Sequence, residues 1–211
     1  VLSDNKELKT VATDSHRMSQ KVITLEKNGD NFDVVIPSRS LREFTSVFSD
    51  DIETVEVFFA NNQILFRSEH ISFYTRLLEG NYPDTDRLIP TEFNTEATFN
   101  VANLRFAMER ARLLSNATQN GTVKLEFKNG VVSSHVHSPE VGRVNEEIDT
   151  SAVSGEDLSI SFNPTYLIEA LKAIDSEQVV IRFISSVRPF TLVPEGNEQG
   201  FIQLITPVRT N

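Results

Sequence analysis

Cysteine and tryptophan are absent from this 211-residue chain, and methionine (2) and tyrosine (3) are scarce. Without Cys there is neither a disulfide nor a thiolate metal site, so a reducing, cytoplasmic setting is the natural expectation. Without Trp, and with so few Tyr, the aromatic platforms favoured by carbohydrate-binding sites are missing. That counts against the alternative reading of this composition, an acidic β-rich extracellular binding module. No stretch approaches 18 consecutive apolar residues, so no membrane-spanning helix and no membrane partner are expected. The first twenty residues lack the charged-then-apolar layout of a signal peptide. There is no Gly-rich phosphate loop and no Gly-x-Ser-x-Gly elbow. Basic residues are outnumbered, with 20 Lys and Arg against 30 Asp and Glu, for a net charge of -10. Spread evenly, such a charge disfavours nucleic acid, but an acidic protein can still present one basic face.

What is present is a chain with enough apolar residues, 39%, for a core, and long enough for one large domain or two ordinary ones. Short alternating runs dominate and read as strands. They are Lys9–Ala12, Arg17–Leu25, Phe32–Ile36, Thr54–Ala60, Gln63–Ser68, Ser72–Leu78, Thr122–Lys128, Val131–His137, Asn145–Asp149, Leu158–Phe162, Gln178–Ile184, Pro189–Val193 and Gly200–Thr206. Asn28-Gly29 and Asn129-Gly130 are hairpin signals, and Asn61-Asn62 is a weaker one. Three segments carry a helical period. Ser38–Phe48 has the stripe Leu41, Phe44, Phe48. Val101–Leu114 has Val101, Leu104, Met108, Ala111. Pro164–Ile174 has Leu167, Leu171, Ile174. Pro37, Asn100 and Asn163-Pro164 mark their starts. The class is therefore α+β, mostly antiparallel.

The chain repeats itself. Val34–Phe44 and Ser161–Leu171 each read strand, proline, helix, and each is followed by further strands. Thr10–Met18 and Val132–Val141 are each a strand running into a polar tip. The period is about 125 residues. The boundary falls near Pro90–Thr95, giving units at 1–91 and 92–211. The second unit has a leading strand, helix and hairpin that the first lacks, so the chain is expected to be a fragment.

Certain words then stand out in order: Ala12-Thr-Asp-Ser-His-Arg-Met18, Leu78-Glu-Gly-Asn-Tyr-Pro-Asp84, Arg110-Ala-Arg-Leu-Leu-Ser-Asn116, Phe162-Asn-Pro-Thr-Tyr-Leu167 and Thr206-Pro-Val-Arg209. Together they make the whole chain resemble the bacterial sliding clamp, the β subunit of DNA polymerase III. Where that family's tip usually has Gly and Leu, this chain has Ser15 and Met18, and Thr210 and Asn211 follow the usual end. The resemblance implies repeated clamp units, with antiparallel sheets outside and short helices on the inner face. Residues 1–91 would be a middle domain truncated at its start and 92–211 a complete C-terminal domain. It implies no enzyme activity and no cofactor or metal. It implies a processivity factor of bacterial DNA replication, whose full-length homodimer rings duplex DNA without reading sequence. The fragment itself is not expected to close that ring. The implied partners are the polymerase III alpha subunit, the clamp loader and other proteins carrying a clamp-binding peptide.

The resemblance also assigns residues. A groove for the apolar anchors of a partner peptide falls on Thr13, His16, Arg17, Met18, Pro83, Leu88, Asn163, Tyr166, Val187, Pro189, Leu204, Thr206, Pro207, Val208 and Arg209. Such grooves need apolar pockets and a few polar groups for the ligand's backbone, though Met18, Leu88 and Leu204 equally suit ordinary core. DNA-facing cations fall on Arg39, Arg42, Arg105, Arg112 and Lys172, where pairing such as Arg105 with Glu109 is the competing reading. Leu113 and Leu114 fall at the subunit contact, where one of them is expected to pack in the core. Two other clusters invite chemistry. Asp14-Ser15-His16 lists triad residue types, but triads draw on residues distant in sequence. His135 and His137 share a strand face, with only Glu140 nearby as a further ligand, so exposed strand histidines are the expectation.

Overall fold

The computed structural model describes residues 1–4, 6–27, 29–48, 52–115, 121–138, 142–197 and 200–209. In chain order the elements are β1 (Leu2–Asp4), β2 (Glu7–Thr13), β3 (Arg17–Thr24), β4 (Phe32–Asp33), α1 (Ser38–Val47), β5 (Glu56–Ala60), β6 (Gln63–Arg67), β7 (Ser72–Arg76) and β8 (Thr95–Asn100). Then come α2 (Val101–Ser115), β9 (Val123–Lys128), β10 (Val131–Ser138), β11 (Gly142–Ile148), β12 (Ala152–Gly155), β13 (Leu158–Phe162), α3 (Pro164–Lys172), β14 (Gln178–Phe183), β15 (Phe190–Pro194) and β16 (Phe201–Ile205). A 3-10 turn at Asp86–Leu88 precedes β8. The α+β, antiparallel class expected from the sequence is the class observed. The chain divides into two compact units, one of residues 1–10 and 23–84, the other of residues 11–22 and 85–211.

In the first unit, β1 pairs antiparallel with β2 and with β4, and β5, β6 and β7 form a meander. The β5–β6 link is the two-residue Asn61-Asn62 turn, with Asn61 at φ 50°. Asn tolerates that left-handed conformation because its short polar side chain bonds locally. α1 lies on the meander through Phe44, whose ring centroid is 4.6 Å from Phe66 and 6.3 Å from Phe73. Ser40 and Thr75 share a 2.8 Å hydroxyl hydrogen bond. No residue of α1 itself is buried. Leu41, expected on its apolar stripe, is 37% exposed, and Phe48, just past the last turn, is the buried one.

The second unit holds most of the core. One sheet has the order β12-β8-β14-β15-β16-β3, and another has β11-β10-β9-β13. Phenylalanine rings join the two sheets: Phe127 to Phe183 at 4.9 Å, Phe183 to Phe190 at 5.2 Å, and Phe162 to Phe190 at 5.2 Å. Each of these rings is 0–2% exposed, and full burial of such a side chain is worth roughly 1.5–3 kcal/mol. α2 and α3 pack on each other. α2 buries Leu104, Ala107, Met108, Ala111 and Ser115, and α3 buries Pro164, Leu167, Ile168, Ala170 and Leu171. β15 is buried along its whole length, Thr191 included, so its polar position does not mark a solvent-facing side as an alternating run would suggest. The β9–β10 hairpin turns on Asn129 (φ 50°) and Gly130 (φ 78°), the paired positive angles that an Asn-Gly two-residue turn needs. Of the other hairpin signal, Asn28 lies outside the described residues, as do Asn116, Val141, Thr210 and Asn211.

Candidate functional site

The polar tip between β2 and β3 is a turn closed by its own side chains. Asp14 Oδ1 accepts the backbone N–H groups of His16 and Arg17, both at 3.1 Å. Thr13 Oγ1 donates to the Arg17 carbonyl at 2.8 Å. Ser15 sits at φ 72°, the left-handed region that glycine occupies more easily. The Asp-Ser-His cluster is thus a turn cap, its carboxylate turned to backbone amides and to Arg17.

The carboxyl end of the chain meets this tip. β16 pairs with β3 in the register Leu204 to Met18 and Ile205 to Arg17. Beyond the last pair, Thr206 donates twice to the His16 carbonyl, from its backbone N–H and its hydroxyl, each at 2.9 Å. The tail then crosses to the other sheet, where Val208 N–H donates to the Ser161 carbonyl at 2.7 Å. The start of α3 completes the site. Asn163 caps it, its Oδ1 accepting from Thr165 N–H at 2.9 Å. Tyr166, one turn on, stacks with His16 at 6.1 Å and 14°. The Arg17 guanidinium lies 4.8 Å from the centre of the same ring. Arg17 also pairs with Asp14 at 2.9 Å and with Glu169.

The electrostatics follow from that arrangement. Slight burial pushes the Asp14 carboxyl up, but the Arg17 hydrogen bond and charge and the two backbone amides outweigh it and hold the group below the usual carboxylate range. Burial pushes Arg17 down, and its pairing with Glu169 and Asp14 more than reverses this, leaving the cation favoured.

Thr13, His16, Arg17, Met18, Asn163, Tyr166, Leu204, Thr206, Pro207, Val208 and Arg209 therefore fall at one end of the second unit. Their roles there differ. Met18 and Leu204, paired across β3 and β16, are 2% and 4% exposed and belong to the buried core, whereas Val208 is 37% exposed. Leu88 and Pro189 line a cleft of roughly 480 Å3, and Val187 sits nearby in sequence, 52% exposed. The cleft joins the same end of the sheet, because Pro189 precedes Phe190, which pairs with Ile205. Pro83 belongs to the first unit. Glu169, which anchors Arg17, escaped the sequence reading. Its signal was the three-residue spacing from Tyr166, which puts both on one helix face.

The expected DNA-facing cations lie on helices, Arg39 and Arg42 on α1, Arg105 and Arg112 on α2, and Lys172 on α3. Arg39 is exposed and pairs with Glu43 at 3.0 Å. Arg42 and Lys172 are exposed, while Arg112 is half-buried in the last turn of α2. Arg105 stands 3.9 Å from Glu109, and its Nε is buried without a hydrogen-bond partner. Leu113 is 74% exposed, whereas Leu114 packs against the core. Both ring nitrogens of His135 are engaged, Nδ1 with Asn145 Oδ1 at 2.8 Å and Nε2 with Ser133 Oγ at 2.9 Å. His137 Nδ1 accepts from Arg143 Nε at 3.2 Å. Among the described residues no cluster of three metal-ligating side chains occurs. Glu140 lies outside them. Among the same residues no helix is long and apolar enough to cross a membrane.

Comparison with known proteins matches residues 1–84 to the central domain, and residues 86–209 to the C-terminal domain, of the DNA polymerase III beta subunit. The chain is 80% identical over 211 residues to the beta sliding clamp of Streptococcus pneumoniae, covering all of this chain and 56% of that protein. It is 41% identical over 209 residues to the beta sliding clamp of Staphylococcus aureus, covering 99% and 55%. The solved DNA polymerase III beta chain of Streptococcus pneumoniae superposes with a TM-score of 0.96 over 99% of this chain and 55% of that one. The Bacillus subtilis sliding clamp gives a TM-score of 0.94 at 37% identity, over 100% of this chain and 56% of that one. The chain thus spans a little over half the length of these relatives. With both halves matched in order and the fold shared along its length, the chain belongs to the DNA polymerase III beta subunit family of sliding clamps.

Proposed function

We propose that this chain contributes to a replication processivity clamp and acts by binding, without catalysis. Its end formed by the tip, the start of α3 and the carboxyl tail receives an extended partner peptide with apolar anchors. The observation that carries this reading is the double hydrogen bond from Thr206 to the His16 carbonyl, which joins segments 190 residues apart next to the half-buried Tyr166, whose ring stacks with His16, and the exposed Val208. The exposed Val208 and Leu88 offer apolar surface that suits short hydrophobic side chains. Neither family model describes an extracellular binding module, and the cytoplasmic setting accords with a replication role.

In the intact assembly, the two repeats read at 1–91 and 92–211 each supply a clamp domain. Arg39, Arg42, Arg105, Arg112 and Lys172 face duplex DNA, and the exposed Leu113, with Leu114 behind it, meets a second subunit. The partners are the polymerase alpha subunit, the clamp loader and other proteins with the same peptide. Contacts to phosphate alone leave the ring free to slide, and topological closure demands little affinity, so a net charge of -10 is compatible with a DNA partner.

The test is calorimetric titration with a peptide ending Leu-Phe, against the wild type and the exposed-site variants Leu88→Asp and Val208→Asp. Binding by the wild type and a loss of at least about tenfold in each variant, with thermal midpoints unchanged, supports the groove. Equal binding in all of them removes it.

A further inference from the structure

The cleft beside Leu88 has a charge that the apolar-anchor reading does not use. It is walled by two segments, residues 87–92 and residues 184–189. The Asn94 N–H donates to the Phe183 carbonyl at 2.8 Å, and its side-chain amide donates to the Ile184 carbonyl at 3.0 Å. These bonds pin the two walls together, so the cleft is preformed. Ile89, Ile184 and Pro189 give it an apolar lining, while Arg87 and Arg188 bring two guanidinium groups in a chain where acids outnumber bases. Arg188 is exposed and, among the described residues, has neither an ion-pair nor a hydrogen-bond partner. Glu92 also lines the cleft, and no ion pair joins it to Arg188. An unpaired arginine over a preformed apolar cleft is a carboxylate receptor, because its planar fork matches a carboxylate's two oxygens.

We infer that this cleft binds a carboxylate placed next to an apolar residue of the partner peptide, through Arg188. The inference rests on the groove proposed above. The carboxylate comes either from an Asp or Glu side chain or from the peptide's own carboxyl end, since both offer the same pair of oxygens. Leu88 and Pro189 belong both to the proposed anchor groove and to the cleft, so a carboxylate beside an anchor reaches Arg188, and this site tunes affinity and partner choice while the anchors supply most of the binding.

The experiment uses fluorescently labelled peptides with a Leu-Phe anchor, C-terminally amidated, followed by Asp in one and Asn in the other. A third peptide carries Asn and a free carboxyl end. Each is titrated into the wild type, Arg188→Gln and Arg188→Glu. The expected result is that the wild type prefers at least one carboxylate peptide over the amidated Asn peptide by about fivefold, the size of a half-exposed ion pair. Which of the two is preferred identifies the source. Arg188→Gln removes the preference while leaving the Asn peptide's affinity unchanged, Arg188→Glu inverts it, and raising salt shrinks it in the wild type. Equal affinity of the wild type for all three peptides overturns the carboxylate site and leaves the groove standing. An equal drop for all peptides in Arg188→Gln also overturns it, assigning Arg188 a structural role. Failure of every peptide to bind the wild type overturns the groove and this site with it.

Discussion

Arg17 is held from three directions, by Asp14 within its own turn, by Glu169 across from α3 and by the face of Tyr166. These contacts hold the tip against the helix, and they are partly solvent-exposed, so each is modest. Glu169→Gln is expected to cost about 0.5–1 kcal/mol in chemical denaturation. Asp14 has its carboxyl lowered in the folded state, so the stability it lends is present above the ordinary Asp range. That stability is lost only as the pH falls below about 4 and through the lowered value. In Arg17→Ala the Asp14 carboxyl is expected to titrate at higher pH by NMR, and the stability gap to the wild type to narrow only under acid. Ser15 offers an opposite case. Its φ of 72° is one that glycine adopts without strain, so Ser15→Gly is expected to stabilise by up to about 1 kcal/mol, net of glycine's greater chain entropy. A lower urea midpoint for that variant would contradict it. Asp and Ser at the tip announced a turn, but nothing local revealed that Arg17 would reach Glu169, because an ion pair 152 residues long is written only in the tertiary fold.

Elements were legible where a period was long or a signal chemical. α3 begins at Pro164 behind its Asn163 cap, as those two residues require, and ends at Lys172, two residues before the apolar spacing does. Ile174 remains 6% exposed beyond the helix, so burial had extended the period without extending the hydrogen bonding. β12 was not read as a strand, and β8 only as the unlocated leading strand of the second unit, without bounds among the alternating runs. In β8 the buried positions include Thr95 and Ala97, too small to announce an inward face, and β12 is four residues long. Their pairing is enforced elsewhere. Gly155, opposite Thr95, has φ +99°, and a Cβ there would stand 1.9 Å from the Asn94 carbonyl oxygen. Gly155→Ala is therefore expected to cost at least about 2 kcal/mol. Gly142→Ala, at φ +115° with open space around it, is expected to cost less. Equal thermal midpoints for the two variants would contradict this account of the β8–β12 edge.

At the scale of the molecule, the two units differ in how much they bury. The second contains the joined phenylalanine rings and nearly the whole core, whereas Phe48 and Ile64 are the buried apolar residues among those described in the first. Hydrogen exchange is expected to be faster in β5–β7 than in β13–β15, since local opening follows buried contact. Equal protection would contradict it. The class was readable from periodicity. The site was not, because its walls are ten to two hundred residues apart and only the resemblance placed them together.

The central claim is that those distant walls form one receptor, and an NMR titration with a Leu-Phe-ended peptide tests it most directly. The account expects the amides of His16, Arg17, Tyr166, Thr206 and Val208 to shift together, with Leu88 and Arg188, along one binding isotherm. Shifts confined to one of these segments, separate isotherms for tip and tail, or a response centred on α2 would contradict it.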